Sequence, residues 1–159
     1  MAFSGNAMST SFKQQLLIGL HNFTGASNVF KMALYTNSAV PSNMGGSGTN
    51  MSDGSVSNYA TNNEITSSNS NYTAGGNSIT TVTPTTSGVT AFVDCDNVVF
   101  SNVTVSDVRG ALFYNDAATS PANAAVAVLD FGGDKGATNG DFTIVMPAPG
   151  ASTAIIRIA

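Results

Sequence analysis

Residues 124–147 read AAVAVLDFGGDKGATNGDFTIVMP and contain two of the clearest strand signals in the chain. AAVAVLDF is apolar at nearly every position, which is typical of a strand buried on both faces. DFTIVMP is rich in β-branched and aromatic residues and ends at a proline. Between them lie Gly, Asn and Asp residues, which tolerate turn geometry. We therefore predict a hairpin in which FGGDKGATNGDF (131–142) only turns the chain.

The glycines and charges of this predicted turn also raise the question of a phosphate or cation site. A phosphate loop needs a Lys followed by Ser or Thr and then a helix, whereas Lys135 is followed by Gly136 and then by a strand. A helix-flanked calcium loop needs regularly spaced carboxylates closed by a Glu. The oxygen-bearing side chains here are irregularly spaced, at Asp130, Asp134, Asn139 and Asp141. The pattern excludes both standard loops and leaves an irregular cation site open.

Strand signals continue on both sides of this hairpin. Short runs rich in Val, Ile, Thr and Phe are separated by Gly, Pro, Asn, Asp and Ser. These runs are SITTVTP (78–84), GVTAFVDC (88–95), NVVFSNVTV (97–105), VRGALFYN (108–115) and TAIIRIA (153–159). TAIIRIA is apolar on both faces and is predicted, with AAVAVLDF, to be a central strand. Upstream, VFKMALYT (29–36) alternates in the manner of a half-buried strand.

Because no helix alternates with these strands, a parallel α/β sheet has no support. We predict an all-β fold in a single domain, 1–159, built as an antiparallel β-sandwich or jelly-roll-like barrel. One short N-terminal helix is expected at about Phe12–Asn22, because Ser11 and Gln14 have capping-box spacing and Gly25 is placed to end it. Its apolar stripe either packs on the chain's own sheet, which is the commoner case, or docks on a partner.

A Ser-, Asn- and Gly-rich segment at about 37–77 is much longer than an ordinary connection within a domain. Met and Tyr are favoured at protein interfaces. One interpretation is therefore an arm that clasps a partner, with Met44, Met51, Tyr59 and Tyr72 as its partner-binding residues. The alternative is a long surface loop whose isolated apolar residues pack against the body of the domain.

The composition restricts the classes of function. Only 9% of the residues are charged, far below the usual quarter, which suits a surface that packs in an assembly and equally suits an exported, sugar-facing β protein. Five scattered cations and a net charge of −4 argue against a nucleic-acid partner. No run is long enough to span a membrane, and the amino end lacks a signal-peptide pattern. The single cysteine, Cys95, excludes an internal disulfide, so we expect synthesis in the cytoplasm.

Few residues form a pattern with catalytic chemistry. His21 is the only histidine, which excludes zinc sites built on several histidines, and its position at the predicted helix end suggests an interaction with the helix dipole. Asp94 and Asp96 are expected on one strand face and Cys95 on the other. Paired acids can hold a metal or transfer protons, but a strand end with a buried thiol explains the same residues. We assign no catalytic, cofactor-binding or metal-binding residue and predict no enzyme.

Two arginines stand inside otherwise apolar runs, Arg109 in VRGALFYN and Arg157 in TAIIRIA. A buried guanidinium needs acceptors, because an unpaired buried charge is costly. A carboxylate of this chain, at Asp107, Asp130 or Asp141, can supply them. A neighbouring subunit is an equally good source, and the sequence leaves the two open.

Much of the chain after about residue 12 resembles small structural proteins of tailed bacteriophages, particularly phages of aquatic bacteria. The resemblance is carried by FKMALYTNSA, NEI, NYTAGGNSIT, VTPTTSGVTAFVD, RGALFYN, AVAVLDFGGDK, GDFTI and AIIRIA. These segments are fold-pattern motifs and contain no catalytic signature. An insert at Val40–Ser55 departs from the resemblance and leaves any interface assigned to it open.

This resemblance implies an all-β virion component without enzymatic activity or cofactor, made in the host cytoplasm. Similar proteins decorate capsids as cement and sit as trimers over junctions between capsomers. The implied partners are the major capsid protein and two further copies of the chain in a homotrimer. The alternative is a tail-associated or head-fibre protein that recognises a host surface glycan, for which exposed aromatic residues would be the discriminating feature.

Overall fold

The computed structural model describes residues 2–25, 28–81 and 83–159. Its one α-helix is α1 (Thr10–Leu17). Two 3-10 turns, Pro41–Asn43 and Met51–Asp53, interrupt the long loop. The strands are β1 (Ala7–Met8), β2 (Phe30–Thr36), β3 (Asn77–Ile79), β4 (Thr85–Ser87), β5 (Thr90–Val93), β6 (Val98–Thr119), β7 (Ala122–Ile144) and β8 (Ile156–Ile158).

These strands form two antiparallel sheets. The larger has the order β1-β7-β6-β2-β3 and the smaller has the order β4-β5-β8. The prediction of an all-β, sandwich-like fold with one short helix is therefore confirmed. The prediction for TAIIRIA is wrong, because β8 is a three-residue strand at the edge of the smaller sheet. In SITTVTP, β3 covers only the start, and Val82 lies outside the described residues.

Two strands are far longer than their sequence signals. β6 has 22 residues and joins NVVFSNVTV to VRGALFYN, while β7 has 23 residues and runs through AAVAVLDF, FGGDKGATNGDF and the start of DFTIVMP. The predicted hairpin loop at 131–142 is thus wrong: this segment does reverse the chain, but as a bent strand that stays paired with β6. The hairpin loop lies between Thr119 and Ala122 and contains a cis Ser120–Pro121 peptide bond.

Both long strands bend sharply. The rings of Phe131 and Phe142 have centroids 6.0 Å apart, although a straight strand would separate the two residues by about 36 Å. The register of the β6–β7 pair shifts four times between Phe100 and Gly110. Residues with positive φ mark the bend, at Asn102 and Asp107 in β6 and at Gly132 and Asn139 in β7. Bulges of this kind let a strand pass from one layer to another.

The bend divides each strand into an inner arm in the central sheet and an outer arm that folds back over it. The inner arms are residues 108–119 of β6 and 122–130 of β7, and the outer arms are residues 98–107 and 135–144. The main core lies between them and combines Phe113 and Leu129 of the inner arms with Phe100, Phe142 and Ile144 of the outer arms. Folding the ribbon back therefore encloses the core.

A second core covers the opposite face of the central sheet. It contains Ala33 and Tyr35 of β2 and Leu112 of β6, packed against Phe3 and the long loop. The other face of β2 supplies Phe30, Met32 and Leu34 to the main core. The strand at VFKMALYT is thus confirmed, whereas its prediction as half-buried is wrong because the long loop shields the second face.

The helix is shorter than predicted, and its ends are elsewhere. Ser9 is the N-cap, so the capping box at Ser11 does not form; the Ser9 hydroxyl donates to the carbonyl of Val56 instead. At the other end, the N–H of Gly19 donates to Leu16 and that of Leu20 to Gln15, the paired bonds of a Schellman cap. Gly19, with φ 72°, therefore ends the helix in place of Gly25.

The bend places strict demands on one of its glycines. A Cβ on Gly136 would stand 2.6 Å from the carbonyl oxygen of Val105, whereas a Cβ on Gly133 would meet nothing within 4 Å. We expect Gly136→Ala to lower the free energy of unfolding by about 1–3 kcal/mol, since the two strands must separate locally. Gly133→Ala, the matched control, should stay within about 0.5 kcal/mol of wild type. Urea denaturation measures both, and equal losses would contradict this account of the bend.

Candidate functional site

An open cleft lies where the two arms of β7 face each other. Its volume is about 610 Å³. The apolar side chains that line it are Leu129, Phe131, Phe142, Ile144, Met146 and Ile155, and the polar and exposed residues along its rim include Asn6, Asp130, Lys135, Asp141, Thr143 and Val145. The strand period explains this division, because Phe142, Ile144 and Met146 point inward while their neighbours point out. We call this feature the cleft.

The cleft opens along a strand edge that is largely uncovered. β7 pairs with β6 along one side; on its other side residues 57–59 of the loop bond to residues 123–125, and β1 pairs with Ala127 and Val128. Among the described residues, no strand pairs with that side of β7 from Leu129 to Ile144. The outer arm of β6 differs, since the loop covers its free edge through bonds such as the Thr104 N–H to the Ser70 carbonyl (2.9 Å).

An ion pair holds one wall of the cleft. Arg109 Nε lies 3.3 Å from Asp130 Oδ1, and both side chains are mostly buried. The N–H groups of Gly5 and Gly132 also donate to the Asp130 carboxylate. Burial opposes ionisation of Asp130, but these two backbone bonds and the Arg109 charge outweigh it and lower the pKa. The sequence left open whether a carboxylate of this chain or a neighbouring subunit accepts from Arg109. The structure shows that the acceptor is Asp130 of this chain.

The environment of Arg157 differs from the buried one that was predicted. Its side chain is exposed at the edge of the smaller sheet, and Nη1 donates to the carbonyl of Ala151 at 3.3 Å. This arginine therefore needs no buried acceptor, because β8 is too short and too peripheral to bury it.

The structure places the four predicted partner-binding residues inside the chain's own fold. Met44, Met51 and Tyr72 are buried, and Tyr59 is half-buried. Met44 and Met51 pack in the second core with Tyr35 and Tyr114. This arrangement is the alternative interpretation of the 37–77 segment, in which its apolar residues pack against the body. In this conformation Met44, Met51 and Tyr72 have no surface to offer a partner.

A network of hydroxyl groups around Glu64, the only glutamate of the chain, holds the loop in place. Glu64 accepts hydrogen bonds from the Tyr59 and Tyr72 hydroxyls and from the Gly75 N–H, each at 2.7 Å. Tyr114 stacks on Tyr59 with ring centroids 4.6 Å apart and donates to the Gly75 carbonyl. Tyr35 donates to the carbonyl of Ala60. All four tyrosines of the chain thus tie the loop to the central sheet.

The electrostatics of this cluster keep the tyrosines as donors. Burial, and next to it the Glu64 carboxylate, raises the pKa of Tyr35, Tyr59 and Tyr72 above the ordinary value. Burial also raises the pKa of Tyr114, followed by the effects of Asp116 and Glu64. The hydroxyls therefore remain protonated at neutral pH, and they are committed to structure.

Removing the carboxylate tests this role. We expect Glu64→Ala to lower the free energy of unfolding by about 2–4 kcal/mol, because the Tyr72 hydroxyl, the half-buried Tyr59 hydroxyl and the Gly75 N–H lose their acceptor. Asp53→Ala is the matched control: Asp53 is an exposed acid of the same loop that accepts from the Ser55 N–H. It should cost less than about 1 kcal/mol. Urea denaturation and protease cleavage within 37–77 measure the effect, and similar values for both variants would contradict the proposed role of Glu64.

His21 is buried against phenylalanines of the main core and does not cap the helix, which ends at Gly19. Its ring is 4.8 Å from that of Phe12, and Nε2 lies 2.8 Å from the Gln15 side-chain oxygen. Asn115, fully buried in β6, approaches Nδ1 at 3.2 Å. Burial lowers the pKa of His21 to about 4. The predicted interaction of a charged His21 with the helix dipole is therefore wrong, since the imidazole is neutral at physiological pH.

This burial predicts a pH dependence of stability. Above about pH 6.5 His21 is neutral in both the folded and the unfolded chain, so it adds no pH dependence. Between about pH 6.5 and 4 mainly the unfolded chain binds a proton, so the free energy of unfolding should fall by about 3 kcal/mol. His21→Gln should remove this contribution to the pH dependence of the free energy of unfolding and leave the contribution of the carboxylates. Urea denaturation at several pH values tests this, and identical slopes would contradict it.

The paired-acid prediction fails on geometry. β5 ends at Val93, and beyond it Asp94 is buried, at 3% exposure, whereas Asp96 is exposed. Cys95 is buried between them, as one interpretation expected, and burial raises the pKa of its thiol to about 12. Within residues 2–25, 28–81 and 83–159, no three His, Cys, Asp or Glu side chains are grouped so as to hold a metal ion.

No known protein family, curated protein or solved structure matches the chain. No helix in the described ranges is long and apolar enough to cross a membrane. The structure itself defines the class: an all-β protein in which a bent hairpin encloses the main core, a long loop covers the second core, and a cleft lies on an uncovered strand edge. Sequence reasoning missed both the cleft and the Glu64 cluster, although a lone glutamate in a charge-poor loop was a usable signal for the second.

Proposed function

We propose that the chain is a structural protein of a phage virion, a capsid decoration or cement protein that binds across neighbouring subunits of the major capsid protein. The phage resemblance of the sequence points to the particle. The observation that carries the proposal is the cleft, a partly apolar surface beside an uncovered strand edge. The role requires neither catalysis nor a cofactor, and neither nucleic acid nor membrane is a partner.

The charge distribution supports binding by apolar and main-chain contacts. The chain has five Lys and Arg residues and nine acidic residues. Two of the cations are paired within the chain, Lys31 with Asp116 at 2.8 Å and Arg109 with Asp130. Because only 9% of the residues are charged, few charges can attract a partner at long range, so affinity has to come from buried area and shape.

The proposed mechanism is stabilisation by mass action. A protein that binds only the assembled shell shifts the equilibrium away from disassembled subunits in proportion to its occupancy. Three copies around one capsomer junction, as the resemblance implies for a homotrimer, would combine three weak contacts into one strong attachment. Each copy then contributes its own cleft to the contact.

The glycan-binding alternative predicts exposed aromatic side chains, and the described residues include none. A sugar-binding platform uses exposed aromatic rings. The described ranges include every Phe and Tyr of the chain, and all of these side chains are buried or half-buried. The tyrosine hydroxyls are also engaged within the fold. The exposed surface therefore favours the decoration role over glycan binding.

Sedimentation with shells tests the proposal. Shells of the phage that encodes the chain, prepared without it, should bind it saturably at a fixed ratio to the major capsid protein and melt at a higher temperature once decorated. Because few charges take part, the half-saturating concentration should change less than about threefold between low and moderate salt. Unassembled capsid subunits are the control and should not bind. Absence of co-sedimentation, or equal binding to free subunits, would contradict the decoration role.

A further inference from the structure

The uncovered edge of β7 already accepts a strand over part of its length. β1 adds to it in antiparallel fashion opposite Ala127 and Val128, and the Asn6 side-chain oxygen accepts from the Asp130 N–H at 2.8 Å. The N-terminal segment of the chain thus uses the edge up to the start of the cleft. A second strand placed beyond it would continue the same interaction along the same edge.

Regular pairing geometry returns at the far wall of the cleft. Phe142, Thr143 and Ile144 pair with β6 in unbroken register, whereas the bulged segment between the two walls is irregular. Bulges obstruct the pairing of an added strand, so the regular stretch is where one can form. Thr143 and Val145 are exposed there, and Val145 is 74% exposed.

The cleft offers an extended peptide more than it offers a small polar ligand. Its rim carboxylates are already engaged, Asp130 by Arg109 and Asp141 by the N–H of Asn102 at 3.0 Å. Besides the Lys135 side chain at the rim, what remains is an apolar floor and a main-chain edge. Those two features recognise a strand whose alternate side chains are apolar and uncharged.

The described parts of this chain contain no free segment to fill the cleft of a second copy. The N-terminal segment is paired in β1, and the C-terminal segment is paired in β8. The long loop is fastened by Glu64 and by its buried methionines. These described segments of a second copy are thus committed to its own fold, which favours a donor strand from a different protein.

We infer that the cleft receives an extended segment of a shell subunit, which pairs along the β7 edge at Phe142–Ile144 and places an apolar side chain on the floor near Phe131 and Met146. This inference rests on the proposed decoration role. One interpretation of the sequence makes the 37–77 segment of this chain an arm that binds the partner. In the present inference the shell subunit supplies the extended segment, and this chain supplies the cleft that binds it.

Two matched variants test the site. Val145→Asp puts a charge at the mouth of the cleft, and Val89→Asp makes the same change at a 95% exposed valine of the smaller sheet, between β4 and β5. Neither valine belongs to a core, so both variants should fold, and urea denaturation checks this. In co-sedimentation with undecorated shells, Val145→Asp should weaken binding at least about tenfold, equivalent to about 1.4 kcal/mol. Val89→Asp should stay within about twofold of wild type.

A photo-crosslinker identifies the occupant. With benzoylphenylalanine in place of Thr143, illumination of decorated shells should join the chain to one segment of the major capsid protein. Crosslinks only to a second copy of this chain would overturn the inference, and so would equal binding by Val145→Asp and wild type. In both cases wild-type binding would leave the decoration role standing. Failure of the wild-type chain to bind shells at all would overturn both.

Discussion

The sharp bend in β7, which brings Phe131 into contact with Phe142, is the constraint on which the rest of the structure depends. A long two-stranded ribbon by itself has no enclosed interior. Folding it back on itself creates one, because the side chains of the inner and outer arms then share the main core. The bend requires backbone conformations that Gly132 and Asn139 adopt readily. The Arg109–Asp130 ion pair lies next to it and fixes the carboxylate at the point where the strand turns.

The same bend explains why one edge of β7 is left uncovered. When a strand folds back, its two arms face each other across a gap, and the side chains that line the gap belong to the core. On the β6 side the loop at residues 70–77 covers the outer arm. On the β7 side the corresponding cover ends with β1, so the gap remains as the cleft. The long loop, fastened by Glu64 and four tyrosines, is therefore part of the folded domain, and the surface proposed to receive a partner is the cleft.

Sequence reasoning found what local pattern determines. AAVAVLDF reads as a buried strand because its apolar side chains occupy both faces, and the structure buries both. FGGDKGATNGDF was misread because a bulged strand and a turn need the same residues, those that adopt positive φ. Met44, Met51 and Tyr72 were assigned to an interface because the contacts that bury them are distant in sequence. The Glu64 cluster joins residues from β2 to β6, so no local window contains it. The cleft forms because the two arms of β7 face each other in the folded chain, so no local sequence motif indicates it.

An electron cryomicroscopy reconstruction of the decorated shell tests the central claim most directly. The account predicts continuous density for an extended capsid segment alongside β7 at Phe142–Ile144, with the 37–77 loop packed on its own domain as in the free chain. A chain attached to the shell through a released 37–77 loop, with the cleft facing solvent and empty, would contradict it.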